Sequence, residues 1–158
     1  LVAWSYKAEI SRAIGNRDDM FDAYGHVIEI NPLDFNALRA RASALIASGD
    51  VKGASKELNA LAKFYPESAT ALAVRAHAAL VASDPKSALE LALSALAKSP
   101  KLPSAQLLAG AAHYELGSTE QAIGLLSAYL VSEPHSKIAR RKLASAFSKS
   151  GQLRPAIE

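Results

Sequence analysis

Residues 110–134 read GAAHYELGSTEQAIGLLSAYLVSEP. Small residues open the stretch, Gly117-Ser118 interrupts it, apolar residues resume at helical spacing, and Pro134 closes it. Glycine readily takes the left-handed backbone on which a helix stops. Proline pushes the residue before it out of the α region, so Pro134 ends a second helix. The stretch therefore predicts the end of one helix, a tight turn and a complete partner helix.

The same pattern runs through the chain. Pro32, Pro66, Pro100 and Pro134 stand 34 residues apart. Seventeen residues before each lie Gly15, Gly49, Ser83 and Gly117. Met20, Ala54, Ala88 and Ala122 form a column twelve before, and Ala8, Ala42, Ala76 and Gly110 one twenty-four before. Eight before lie Tyr24, Leu58, Ala92 and Leu126. A fifth register starts with Arg140, Leu143, Ala144, Phe147, Gly151 and Ala156. A 34-residue period carried by several columns at once marks a helix–turn–helix solenoid repeat. The residue types have a physical reason. Two helices cross closely only where side chains are small, which explains the pairs Ala8/Met20, Ala42/Ala54, Ala76/Ala88 and Gly110/Ala122. Met20 is the large exception and predicts looser packing there.

First helices are predicted over about 2–14, 36–48, 70–82, 104–116 and 138–150. Second helices are predicted over about 18–30, 52–64, 86–98 and 120–132, with a stub from 154. The short connections make each pair antiparallel. Asp84-Pro85 reads as an N-cap followed by proline at the first helical position, and Ser118 with Gln121 as a capping box. The expected organisation is a single solenoid segment with repeats of about 1–34, 35–68, 69–102 and 103–136 and a partial fifth over 137–158. The chain opens at Leu1 and closes inside a helical pattern, and it reads as an excerpt of a longer protein.

Half of the 158 residues are hydrophobic and 6% aromatic, a balance that favours closely packed helices over sheets. There is no cysteine, which excludes disulfides, thiolate chemistry and Cys zinc sites. No apolar run approaches the ~20 residues of a spanning helix. Eighteen basic residues against fifteen acidic, interspersed, give a net charge of +3 and a mildly basic solvated surface.

The unit from Trp4 through Gly15-Asn16, Ala23-Tyr24 and Glu29-Ile30-Asn31-Pro32 resembles the tetratricopeptide repeat (TPR) family, and so does the unit from Gly110 to Pro134. Departures are Gln106, where a large apolar residue is usual, Ser83 in place of the turn glycine, and Ser11 and His113 in place of apolar or aromatic residues. A narrower likeness runs from Leu107-Leu108-Ala109-Gly110 through Ala139-Arg140-Arg141-Lys142-Leu143-Ala144 to Gly151-Gln152. It is similar to bacterial TPR lipoproteins of exopolysaccharide and PEP-CTERM sorting systems, and implies a periplasmic or membrane-associated place, with the cytoplasm as the alternative.

The resemblance implies an all-α, right-handed superhelical solenoid whose first helices line a concave groove. Helical spacing then turns inward Ser5, Glu9 and Arg12; Asn36, Arg39 and Ser43; Thr70, Ala73 and His77. Ser104, Leu107, Ala111 and Tyr114 follow, then Arg141, Ser145 and Ser148. The candidate ligand contacts are Asn36, Arg39, Ser43, Thr70, His77, Leu107, Tyr114 and Arg141. Arg39 and Arg141 suit a carboxylate, and Tyr114 offers an apolar ring with a polar tip. The plain alternative is that all three are solvated surface residues. Some TPR cochaperones clamp a C-terminal carboxylate with Lys and Asn one turn apart. The pairs here are Ser5/Glu9, Arg39/Ser43, Ala73/His77, Leu107/Ala111 and Arg141/Ser145, and none fits.

Other chemistries find little purchase. His26, His77, His113 and His135 form no ligand-spaced pair, so no metal or other cofactor is expected. Asp18-Asp19 sits at a helix start, where carboxylates favour the dipole. Arg140-Arg141-Lys142 splays over different helix faces without aromatic platforms, so nucleic acid is not expected. With no nucleophile set and no phosphate loop, the chain reads as a non-enzyme. The expected function is a scaffold that binds a peptide or protein segment in the concave groove. The alternative is a self-assembly module that stacks into homo-oligomers through exposed solenoid ends, where Leu1, Val2 and Trp4 lie.

Overall fold

The computed structural model describes residues 1–151. The predicted stub from 154 lies outside them. Every regular element among the described residues is an α-helix. The chain divides into two compact units, Leu1–Pro66 and the part from Glu67 onward. The first unit holds α1 (Val2–Ala13), α2 (Arg17–Ile30), α3 (Phe35–Ala47) and α4 (Ser55–Phe64). The second holds α5 (Ala69–Val81), α6 (Pro85–Lys98), α7 (Pro103–Glu115), α8 (Thr119–Ser132) and α9 (Lys137–Lys149). In the first unit each helix packs on the next along the chain. In the second unit the same holds, and α5 also packs on α7 and α7 on α9. First helices thus lie side by side there, with second helices behind them. None of the described helices is long and apolar enough to cross a membrane.

The stop signals act as the sequence predicts. Gly15, Gly49 and Gly117 follow first helices with φ of 75°, 84° and 82°. Ser83 keeps the same left-handed conformation at φ 61° without being glycine. Before the periodic prolines, Asn31, Tyr65, Ser99 and Glu133 leave the α region at φ between −127° and −143°. Side chains of Asn16, Asp34, Ser68, Asp84 and Ser136 cap helix starts by accepting the N–H three residues on.

Two local expectations need correction. Ser118 makes no side-chain cap, so the capping box does not close. Its ψ is 72°, against 93° to 117° at the starts capped by Asn16, Asp34, Ser68 and Ser136. Asp84 caps at a ψ of 79° because its carboxylate reaches further than a hydroxyl. The second correction concerns α4, which starts at Ser55 instead of near 52. Asp50 accepts the Gly53 N–H at 2.8 Å, and Val51–Ala54 form a turn. A side chain at Gly53 would collide with that carboxylate, its Cβ falling 2.1 Å from an Asp50 oxygen.

Small residues fill the crossings as the period requires. Ala8, Ala42, Ala54, Ala76, Ala88 and Ala122 are all fully buried. Gly110 is the extreme case, because a Cβ there would lie 2.9 Å from Leu126 Cγ. Where the position facing the column is Ala92 instead of Leu126, alanine fits at Ala76. Met20 is buried too, but two surface hollows open beside it, one bounded by Ser11, Gly15, Arg17 and Ala47 and the other by Glu9, Arg39 and Ser43. Both hollows lie toward α3, while Ala8, which meets Met20 at the crossing, lines neither and is fully buried, so the looser crossing expected from the sequence is not seen.

Candidate functional site

In the first unit, α3 presents Arg39 and Ser43 one turn apart on one face. With Glu9, Arg12, Met20, Ala40 and Ala44 they border an open hollow of about 490 Å³. Asn36 stands exposed at the start of α3, outside its lining. Glu9 accepts from the Arg12 guanidinium through Nε at 3.0 Å and Nη2 at 2.8 Å, and from the Tyr24 hydroxyl. The Tyr24 and Arg12 hydrogen bonds, helped by the charges of Arg12 and Arg39, hold the Glu9 carboxyl below its usual range. Burial, with the Glu9 bond, pushes Tyr24 up to about 12. Glu9 is therefore already neutralised. Arg39 has no ion pair among the described residues, so the hollow carries one net positive charge.

The second unit carries the remaining candidates. The Thr70 hydroxyl is shared with that of Ser68, the cap of α5. His77 is half-buried, and burial lowers its pKa. Ala73 and Ala111, expected as groove floor, are each only 3% exposed. Leu107 is half-buried on α7. Tyr114 is half-buried as well, with Lys149 Nζ 3.9 Å and Lys142 Nζ 5.9 Å from its ring centroid. The ring thus faces two ammonium groups instead of lying bare. Lys142 also approaches Glu115 at 3.9 Å. Arg141 is exposed and has no ion pair among the described residues.

The structure thus brings Arg39 and Ser43 to one hollow and surrounds Tyr114 with lysines of α9. It shows no such grouping for Asn36, Thr70, His77 or Leu107. Sequence reasoning named Lys142 only within the basic run and missed Lys149, although α9 holds five basic residues and no acidic one. Also missed is a buried pair, Arg41 Nη1 to Glu57 Oε1 at 2.9 Å, with Glu57 only 4% exposed. Nothing in the sequence analysis singles out position 57, and only the fold shows that Arg41 of α3 lies against it. No cluster of three potential metal ligands occurs among the described residues.

Antiparallel helix pairs, glycine turns and alanine crossings define an all-α repeat protein. The profile of the tetratricopeptide repeat family matches residues 39–103 and 73–137, well over half of the chain, and the chain belongs to this family. That family consists generally of non-catalytic protein–protein interaction scaffolds. No curated protein matches the sequence. Among solved structures, the fold is similar to TTC0263, a thermophilic TPR protein of Thermus thermophilus. The TM-score is 0.79 at 21% identity, covering 94% of this chain and 82% of that one. It is also similar to MamA of Desulfovibrio magneticus RS-1, with TM-score 0.75, 17% identity and coverage of 98% and 87%. YrrB, a TPR protein described as having an unusual peptide-binding site, gives 0.66 at 13% identity, covering 95% and 77%. At these identities the likeness concerns the fold alone.

Proposed function

We propose that the chain is a scaffold that holds a peptide or protein segment against its first helices. Arg39 and Ser43 serve in the first unit, Tyr114 and Arg141 in the second. Asn36, Thr70, His77 and Leu107 stand on the same helices, α3, α5 and α7. One observation carries this reading: Arg39 borders an open hollow with its charge unpaired among the described residues. An unpaired guanidinium at a cleft is matched to a carboxylate, which it binds with two parallel hydrogen bonds. An extended peptide suits such a surface, since a few anchors fix it while its backbone stays hydrated. The peptide-binding site described for YrrB supports the same ligand class.

The test is affinity capture with mass spectrometry, wild type beside Arg39→Glu/Tyr114→Ala. A partner captured by wild type and lost at least tenfold from the variant is the expected result, consistent with about 1.5–3 kcal/mol for a charged hydrogen bond. A partner retained equally by both would move the site off these helix faces. Self-assembly is the second reading, favoured by apolar side chains that stand exposed along α1.

A further inference from the structure

Arg39 and Arg41 stand two residues apart on α3, which turns their side chains to nearly opposite sides of the helix. Away from the Arg39 hollow, Arg41 borders a second one of about 350 Å³ in the first unit. Its lining comes from α2, the loop that follows it, α3 and α4. Ile28, Pro32 and Leu38 make part of that lining apolar.

Two features of this hollow have no packing reason. The first is the Arg41–Glu57 pair beside it. Glu57 Oε1 accepts from Arg41 Nη1 at 2.9 Å, but Glu57 Oε2 and Arg41 Nε are buried with no hydrogen-bond partner among the described residues. A buried acceptor and a buried donor left unmatched are costly, and apolar residues serve a core better. The second unit uses that solution. In the repeat register Ala109 and Leu125 take the places of Arg41 and Glu57, and both belong to one apolar cluster. The second feature is Gly25. It lies inside α2, where glycine weakens a helix, yet a Cβ there would meet nothing within 4 Å. Packing does not require the glycine, and its bare backbone widens the hollow it borders.

We propose that this hollow binds a primary carboxamide, the group of a glutamine or asparagine side chain, which accepts from Arg41 Nε and donates to Glu57 Oε2. The unmatched atoms select the ligand class. A carboxylate would be repelled by Glu57, and an ammonium by Arg41 and by Lys56 at the rim. A neutral group that carries both a donor and an acceptor suits both atoms. A carboxamide holds them on separate atoms of one plane, so both bonds form at once. The hollow has room for far more than one water, whose share of liquid volume is about 30 Å³. Its apolar lining matches the methylene stem of glutamine. The two unmatched atoms are shut off from solvent, and Arg41, whose side chain is 35% exposed, turns its guanidinium to admit the group. This site stands apart from the Arg39 hollow and does not rest on the scaffold reading.

The test is NMR of the isotope-labelled chain titrated with short alanine peptides whose central residue is glutamine, glutamate or norleucine. The glutamine peptide is expected to bind with a millimolar constant, as befits a few contacting atoms, and to shift the amide signals of Gly25, Ile28 and Ala60 and the Arg41 Nε–H signal. The glutamate and norleucine peptides are expected to bind about tenfold more weakly or less, because they leave a buried donor or acceptor unpaired. Two variants keep the test sharp if one fails to fold. Gly25→Leu fills the hollow, Arg41→Met/Glu57→Leu removes both polar partners, and each loses the response while its spectrum stays that of a folded chain. Arg39→Glu keeps the response, which separates this site from the groove proposed above. Propionamide, a carboxamide without a peptide backbone, reads the source. A response to it as well supports a small amide as ligand, and a response to the peptide alone supports a segment of a partner protein. Equal binding of the norleucine peptide, or a response that survives both variants, overturns the site. No shift with the glutamine peptide also overturns it and leaves the hollow to water.

Discussion

At Ser83 a side chain occupies the left-handed region, φ 61°, where the four equivalent turns, at Gly15, Gly49, Gly117 and Gly151, use glycine. For a residue with a Cβ that conformation costs roughly 1–2 kcal/mol, and glycine returns part of the gain through the entropy of its unfolded chain. Ser83→Gly is therefore expected to stabilise the protein by about 0.5–1 kcal/mol. A chemical-denaturation midpoint at or below wild type would sink this account. Single residues also show how finely the crossings are fitted. Gly110 gives up its side chain because Leu126 stands where a methyl group would go. The period specifies a small residue at that column, and the neighbour decides which one.

Between elements, the least expected feature is the Arg41–Glu57 pair that ties α3 to α4. Glu57 Oε2 and Arg41 Nε are buried without a hydrogen-bond partner, so the pair is incompletely satisfied. Removing one member strands the other. Arg41→Met is expected to cost about 1–3 kcal/mol, less than for a fully enclosed pair because the Arg41 side chain is 35% exposed. Arg41→Met/Glu57→Leu is expected to recover most of that loss, because apolar groups of similar volume need no partners. If the double variant is as unstable as the single, the pair contributes more than its own desolvation allows. The junction has a second tie, since the Tyr65 hydroxyl donates to the Leu33 carbonyl and its ring meets Phe35 edge-on at 4.9 Å. Sequence spacing gives these helices their boundaries to within a few residues. It does not show that position 57 is enclosed, because enclosure depends on what α3 lays over it.

For the molecule as a whole, acid is expected to weaken the fold in two steps. Burial holds His77 and His113 below their ordinary value of 6.5. The unfolded chain then takes up protons first, so stability is full above about pH 6.5 and falls as the pH drops through that value toward the lowered folded pKa. Glu9 acts lower on the scale. Its depressed pKa contributes stability above the ordinary carboxyl value, which is lost as the pH falls through the folded one. The thermal midpoint is expected to decline between pH 7 and pH 5, and less steeply in His77→Gln. A flat profile over that interval would show that neither imidazole is buried as described.

The 34-residue period, the turn glycines and the prolines determined the all-α helix pairs, because helix stops are local events set by φ. The alanine columns determined which faces cross, since only small side chains permit close backbones. For the candidate site the family resemblance implied the concave face, and helical spacing then named Asn36, Arg39, Ser43, Thr70, His77, Leu107, Tyr114 and Arg141, which states direction without occupancy. Tertiary structure decided what each residue meets. It neutralised Glu9 with Arg12 and Tyr24, laid Lys142 and Lys149 against Tyr114, and closed Ala73 and Ala111 into the interior. The Arg12 bond to Glu9 is local, but the others depend on residues 15 to 35 positions away, or on a neighbouring helix, and no local spacing carries them.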